Sequence, residues 1–351
     1  MRITTGALWR AALLQLCLMS PQSQPRAQDT VAQFYKGRQI TLIVPAPVGG
    51  GYDLYGRLLA RHIGKYIPGS PTIVPSNMAG AAGIVAAQYI YSNSPRDGSV
   101  IGEFYASAIM APLLGDASQV KYDPLRFNYI GSASTDVDIC FVRADASAKS
   151  FSDVFTQEII LGATGGGGSS LIYPSLYSNL LGAKLKVIPG YPGVSDIGLA
   201  IEKGEVQGTC GASWSVMTTG HPDWLRDQKM RVLAQENIAS HPDIEKLGAP
   251  LTTSFAKTAE IRQIMEFVFT QSDFERPFAM SPGVPEDRVL AIRSAFMSAM
   301  QDPELLAEAK SMKLEVDEPM NGTDLQETIR KLMATPRDII AKAQQAATLR
   351  R

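Results

Sequence analysis

Histidine and cysteine are scarce in this chain, with three of each in 351 residues. His62, His221 and His241 stand at no metal-ligand spacing from one another or from a cysteine, so no zinc-type site can be read from the sequence. His221 and His241 both precede proline and aspartate, which is turn chemistry. No apolar run approaches the roughly 20 residues that cross a bilayer as a helix. Charge of one sign is missing too: 33 lysines and arginines balance 34 aspartates and glutamates, so no basic field invites nucleic acid. The glycine run Gly165–Gly168 lacks the lysine of a phosphate loop. Gly162-Ala-Thr-Gly-Gly-Gly167 has the wrong spacing for a dinucleotide turn and no following acid for a ribose. Gly211-Ala-Ser-Trp-Ser215 lacks the second glycine of a nucleophile elbow. No cofactor is expected, and a hydrolase using Ser169 or Ser213 has no neighbouring base in the sequence.

What is present begins with an export signal. Arg2 and Arg10 precede the apolar run Ala11–Met19, and a Pro/Gln/Ser-rich segment closes at Pro25-Arg-Ala-Gln28. A basic start, a short apolar core and a small residue near position 27 describe a cleavable secretory signal over 1–27. Without it the chain carries 30 basic and 34 acidic residues. The remainder then keeps two cysteines, Cys140 and Cys210. Both lie in apolar strand-like runs, and an oxidising compartment permits a disulfide between them. Two buried free thiols are the alternative.

Strand-like and helix-like segments alternate, which predicts α/β architecture. Ile40–Val44 is a strand, followed by Pro45-Ala-Pro-Val-Gly-Gly-Gly-Tyr-Asp53 and a helical pattern through Ile63. Thr72–Val74, Val100–Phe104, Tyr129–Ala133, Ile139–Val142, Ile159–Ala163, Leu185–Ile188, Val206–Cys210, Arg231–Ala234 and Pro277–Met280 complete the strands. Helices are predicted at Ile84–Tyr91, Ser169–Leu181, Val194–Lys203, Pro285–Met300, Pro303–Met312 and Asp324–Thr335, with 236–275 mostly helical. The chain length accommodates two domains of about 150 residues each. The expected division is one lobe of 28–133 plus 250–351 and a second of 134–249.

Glycine turns that lead from a strand into a helix leave amides unpaired at the positive end of the helix dipole, a receptor for anions. Two such turns occur, at 45–53 and 164–170. Each hydrogen bond to a charged group contributes roughly 1.5–3 kcal/mol net. Three or four of them reach the roughly 8 kcal/mol of a micromolar complex, and a buried arginine is not required. Asp53 reads first as a helix-start residue. Tyr52, Tyr105, Tyr191 and Trp214 follow strands at turn positions, where rings and phenols line pockets.

From about Phe34 to about Pro336 the chain resembles the periplasmic solute-binding receptors of tripartite tricarboxylate transporters, the Bug-type family. The segments that carry this are Ile43-Val-Pro-x-Pro-x-Gly-Gly-Gly-x-Asp53 with Arg57, Asn77-x-x-Gly-Ala-x-Gly83, Thr164-Gly-Gly-Gly-Gly-Ser-Ser170, Gly190-Tyr-Pro-Gly193, Gly204-Glu-Val206 and Pro282-Gly-Val-Pro285. The resemblance implies a type II periplasmic binding protein fold, with two α/β lobes closing on a small carboxylate, aliphatic or aromatic. It implies a monomeric, non-enzymatic receptor that serves membrane transporter subunits; a ligand-presenting component of a two-component sensor is the alternative. By position it transfers ligand contacts to Val48, Gly49, Gly50, Tyr52 and Asp53, and to Thr164, Gly165, Gly167, Ser169 and Ser170. Tyr105 and Ser107 would line the first lobe, with Tyr191, Ser213 and Trp214 on the second. Family members often carry an aromatic residue where this chain has Ala46, and a histidine near Leu171–Tyr173. Those departures, with the 236–275 insertion, leave the ligand's identity open.

Overall fold

The computed structural model describes residues 27–349 apart from 50, 115–116, 165–167, 192, 215 and 317. The export signal expected over 1–27 therefore lies outside the described residues except for Ala27. Among the described residues eleven strands are formed: β1 Gln39–Val44, β2 Thr72–Asn77, β3 Val100–Glu103, β4 Asn128–Ser132, β5 Asp138–Arg143, β6 Ile159–Thr164, β7 Leu185–Tyr191, β8 Gly208–Ser213, β9 Met230–Glu236, β10 Pro277–Met280 and β11 Met320–Asn321. The helices are α1 Ala27–Tyr35, α2 Gly51–His62, α3 Ile84–Ser92, α4 Ala106–Leu114, α5 Ser169–Leu176, α6 Val194–Lys203, α7 Pro222–Arg226, α8 Pro242–Glu245, α9 Ala259–Phe269, α10 Glu286–Met300, α11 Pro303–Ser311, α12 Gly322–Met333 and α13 Arg337–Ala347.

The strands form two sheets. The six-stranded one has the order β11-β4-β10-β3-β1-β2, the five-stranded one β7-β6-β8-β5-β9. Alternation of strand and helix gives parallel pairing of β1 with β2 and β3, and of β6 with β7 and β8. Returning strands make both sheets mixed: β10 runs antiparallel to β3 and β4, and β5 antiparallel to β8 and β9. β1 is apolar apart from Gln39 and Thr41 because it is paired on both sides and covered; four of its six residues are buried. Edge strands tolerate proline, which cannot donate to the ladder. β2 therefore continues through Pro75 to Asn77, and β7 through Pro189 to Tyr191, further than their apolar runs indicate.

One sequence-predicted helix changes character. Ser169–Leu181 is α-helical only to Leu176 and then widens into a π-type turn, Tyr177–Leu181, ending at Gly182 with φ +79°. Pro174 lies inside this helix, where its ring removes a donor and crowds the preceding turn.

The sheets are linked by 133–137 and by the helical segment 237–276. α13 joins them a third time. Gln344 donates to the Leu113 carbonyl beside the first sheet (2.7 Å), and Ala346 accepts from Asn179 behind the second (2.7 Å). One apolar core accordingly runs from Ile43, Phe104 and Tyr129 through Val142, Leu161 and Tyr173 to Ile264, Phe269, Ile339 and Ala343.

Candidate functional site

Strand direction decides which side chains meet. In the first sheet the carboxyl ends of β1, β2 and β3 lie at one edge, and antiparallel pairing brings the start of β10 and the end of β4 there as well. In the second, the ends of β6, β7 and β8 share an edge with the start of β5 and the end of β9. The links 133–137 and 237–276 leave and enter at those two edges. Open α/β sheets bind ligands outside the carboxyl ends of their strands, and both glycine turns stand there.

The first turn is braced by a carboxylate. Asp53 is 1% exposed. Its oxygens accept from the Gly49 amide (2.8 Å), Arg57 Nε (2.9 Å) and Asn77 Nδ2 (2.8 Å). Asn77 also donates to the Ala46 carbonyl, and Arg57 to Asn77 Oδ1. Burial pushes the Asp53 carboxyl up, but the bonds from Arg57, Gly49 and Asn77 outweigh it and hold it below the ordinary range. Its acceptors are spent on the fold, so Asp53 shapes the turn. Gly49 has φ +85°, a conformation that side chains disfavour. Val48 at the tip is 75% exposed. Gly50 lies outside the described residues.

Tyr52 and Tyr105 meet edge to face, with centroids 4.2 Å apart. The Tyr52 hydroxyl donates to the Glu275 carbonyl, so its phenol is committed to the segment entering β10. Ser107 is half-buried in the first turn of α4.

The second turn is braced by neutral hydroxyls. Ser170 Oγ accepts from the Thr164 amide (3.0 Å) and lies 2.9 Å from Thr164 Oγ1. Ser169 Oγ donates to the Gly211 carbonyl (2.7 Å). Gly211 has φ +71°, and a Cβ there would stand 2.4 Å from the Ser169 carbonyl carbon. Gly165 and Gly167 lie outside the described residues. Tyr191 and Ser213, at their strand ends, are half-buried. Trp214 is 7% exposed and packs in the second sheet's core, with its amide donating to Val137. It is a core residue at the rim of the edge.

Cys140 and Cys210 are disulfide-bonded across β5 and β8, where the ladder between those strands shifts register. Gly211, next in the chain, donates its amide to Glu236.

Sequence reasoning missed the wall between the turns. Arg276 is the only arginine or lysine among the buried residues described. It pairs with Glu275 (2.6 Å) and lies over the rings of Tyr52 and Tyr55 at 4.3 and 4.9 Å. Asp138, 4% exposed, stands opposite Ser213 and Glu236 in the ladder. Burial pushes Asp138 well up, with Glu275, Glu236 and Asp136 adding to it and a bond from Tyr173 opposing. Burial raises Glu275 to about 7 against the pull of Arg276. It raises Glu236 to about 8 against bonds from the Gly211 amide and the Tyr177 hydroxyl. Glu103 is fully buried with neither oxygen partnered, and burial drives its carboxyl far up. The available signal was Phe274-Glu-Arg-Pro-Phe278: two charges inside an apolar run that enters a strand.

The three histidines hold structural positions. His62 bonds Glu308, His221 stacks on Trp224 at 4.0 Å, and His241 Nδ1 accepts from the Asp243 amide at the start of α8. Ser169 faces a carbonyl oxygen in place of a base.

Known proteins resemble this arrangement. A TctC solute binding protein from Polaromonas superposes with a TM-score of 0.65 at 20% identity, covering 88% of this chain and 99% of that one. This is the TctC/Bug-type periplasmic binding fold. MatC from Rhodopseudomonas palustris with bound malate shares it (TM-score 0.64, 18% identity, 89% and 99% covered), as does an R. palustris protein with adipate (0.63, 18%, 88% and 98%). In sequence, a UPF0065 protein from the TAR-I ttuE-ttuC' intergenic region of Agrobacterium vitis is 26% identical over 201 residues, 55% of either chain. The match thus spans about half of that relative's length. No family model matches. The TctC/Bug resemblance read from the sequence and the type II periplasmic binding fold it implies are both borne out. Among the described residues no helix is long and apolar enough to cross a membrane.

Proposed function

We propose that this protein is an exported, periplasmic receptor that captures a small organic carboxylate between two lobes and delivers it to membrane transporter subunits. The lobes are 28–133 with 250–351, and 134–249. One observation carries the reading: each sheet presents a glycine turn and a helix start, Gly51 of α2 and Ser169 of α5, at its carboxyl edge, and the chain's two links join those edges. The solved proteins that share the fold and hold malate or adipate support it.

In this reading the backbone does the binding. Amides of Gly51–Asp53 on one side, and of Gly168–Ser170 on the other, converge on one carboxylate, with Thr164 and Ser107 at the margins; the further contacts expected at Gly50, Gly165 and Gly167 lie outside the described residues. Two half-sites on separate lobes make ligand and closure mutually dependent, since the ligand favours the state in which it touches both. Tyr52, Tyr105 and Tyr191 shape the space for the rest of the molecule. The receptor acts as a monomer, holds no cofactor and performs no reaction.

Titration calorimetry against di-, tri- and aromatic carboxylates tests the proposal. Binding of at least one class, with a stoichiometry of one, is expected. Failure of every carboxylate to bind would overturn it.

A further inference from the structure

Resting on the receptor reading, we infer that Glu315 and Thr218 form a clasp that holds the lobes closed over the ligand without touching it. The lobes pivot about the face of the molecule that carries α13 and part at the opposite face, where the clasp stands. The apolar cores set this asymmetry. One core is shared by the two sheets, running from Ile109 of α4 through Tyr173 and Leu176 of α5 to Ile264 of α9 and Ile339 of α13. Side chains alternate along a strand. Ile43 of β1, with Cys140 and Val142 of β5, therefore face the shared core, and their neighbours Leu42, Val44, Ile139 and Phe141 face away from it.

On that far face each sheet has a core of its own. Leu58 and Leu59 of α2, Ile292 of α10 and Leu305 of α11 cover the first sheet, while Ile197 and Ile201 of α6 and Trp224 of α7 cover the second. Among the described residues these two cores share none. Separating a shared core returns apolar surface to water, whereas a polar contact exchanges for water at small net cost. The shared face is therefore the hinge. Its buried polar links fit that role: Gln271 donates to the Tyr173 hydroxyl (2.9 Å) and Asn179 to the Ala346 carbonyl (2.7 Å).

The clasp bridges the two separate cores, and local structure puts it there. α11 ends in a left-handed cap: Lys313 has φ +57°, and the Leu314 amide donates back to the Ala309 carbonyl (2.9 Å). Leu314 and Val316 then pack on the first sheet's core, with Glu315 between them. Its carbonyl accepts from the hydroxyl of buried Tyr55 (2.6 Å), one turn into α2 from Gly51. Its carboxylate accepts from Thr218 Oγ1 (3.0 Å), in the turn Val216–Gly220 that follows β8. The helix of the first glycine turn and the ligand edge of the second sheet thus meet through two half-buried side chains, which water reaches once the lobes part. Such a bond acts on closure alone. Apparent affinity scales with the binding-competent fraction, so its loss weakens every carboxylate by one common factor. Loss of a ligand contact weakens them unequally, according to their shapes.

Three variants test this: Thr218→Val removes the donor at similar size, Thr218→Ser keeps it, and Glu315→Ala removes the acceptor. Pulsed electron paramagnetic resonance measures the distance in the free protein between spin labels on Lys310→Cys of α11 and Arg226→Cys of α7, both exposed positions. Calorimetry measures Kd for malate, adipate, citrate and benzoate. If the free protein rests closed, Thr218→Val and Glu315→Ala are expected to lengthen the distance. If it rests open, both are expected to raise Kd about three- to tenfold, by the same factor for each carboxylate that binds, with Thr218→Ser within about twofold of wild type. Unchanged distance together with unchanged Kd in both variants overturns the clasp and leaves the receptor reading standing. A rise in Kd that differs among carboxylates does the same, because it makes these residues ligand contacts. If no carboxylate binds the wild-type protein, the receptor reading falls and the clasp with it.

Discussion

The two glycine turns do similar geometric work with opposite electrostatics. At 45–53 an ionised, buried Asp53 gathers the Gly49 amide, Arg57 and Asn77. At 164–170 the bracing is neutral, through Ser170, Thr164 and the Ser169–Gly211 bond, backed by Glu236, whose carboxyl burial raises to about 8. Backbone amides left free for a ligand need a rigid frame, and a frame can be fixed by a charge that is compensated or by groups that carry none. The first solution fails when its acid is protonated, the second when its acid is ionised.

Substitutions separate the two. The largest loss is expected from Gly211→Ala, where a Cβ would press on the Ser169 backbone at 2.4 Å with φ at +71°. We expect about 3–4 kcal/mol of destabilisation in urea unfolding, because backbone on both sides must move. Asp53→Ala should cost about 2–3 kcal/mol by the same assay. The Gly49 amide and the half-buried Asn77 side chain lose their acceptor at a carboxylate only 1% exposed, while Arg57, about a third exposed, recovers part of its loss in water. Ser170→Ala removes only neutral bonds and should cost about 1–2 kcal/mol. Val48→Ser, at a tip 75% exposed, should stay within about 0.5 kcal/mol and serves as the control.

The pH dependence sharpens the contrast. A raised folded-state acid stabilises the fold below its unfolded pKa, and that contribution is lost as pH rises. Glu236 should therefore subtract up to about 1.4 kcal/mol per pH unit between roughly pH 4.5 and 8. Glu236→Gln should flatten that slope. Asp53 is depressed, so its contribution is present above roughly pH 4 and is lost as pH falls through its lower folded value. Urea unfolding as a function of pH, with both variants, separates the two signs. A Glu236→Gln protein with an unchanged slope would remove Glu236 from the second frame.

Much of the fold was legible because periodicity and turn chemistry agree. Val194–Lys203 and Pro277–Met280 have the bounds their patterns indicate, and the apolar runs around Cys140 and Cys210 do pair and are bridged. α13 was not read, although its buried face of Ile339, Ala343 and Ala346 recurs at helical spacing. β7 and β2 run longer than their apolar segments since edge position excuses their prolines. Within the site, the turns were legible as local strings of glycine. The wall was not: Asp138, Glu236 and the neighbouring pair Glu275–Arg276 come from three distant parts of the chain, and antiparallel returns bring them to the two linked sheet edges. Asp53 shows the converse, since the sequence reads it both as a helix-start residue and as a ligand contact, and its bonds to Gly49, Arg57 and Asn77 all go to the fold.

The central claim, that both turns hold one carboxylate, is tested most directly by amide proton–nitrogen NMR of the labelled protein during titration with a binding carboxylate. The account predicts that the amides of Gly49–Asp53 and of Gly168–Ser170 shift together and yield the same dissociation constant. Shifts confined to one turn, or absent from both while the ligand binds elsewhere, would contradict it.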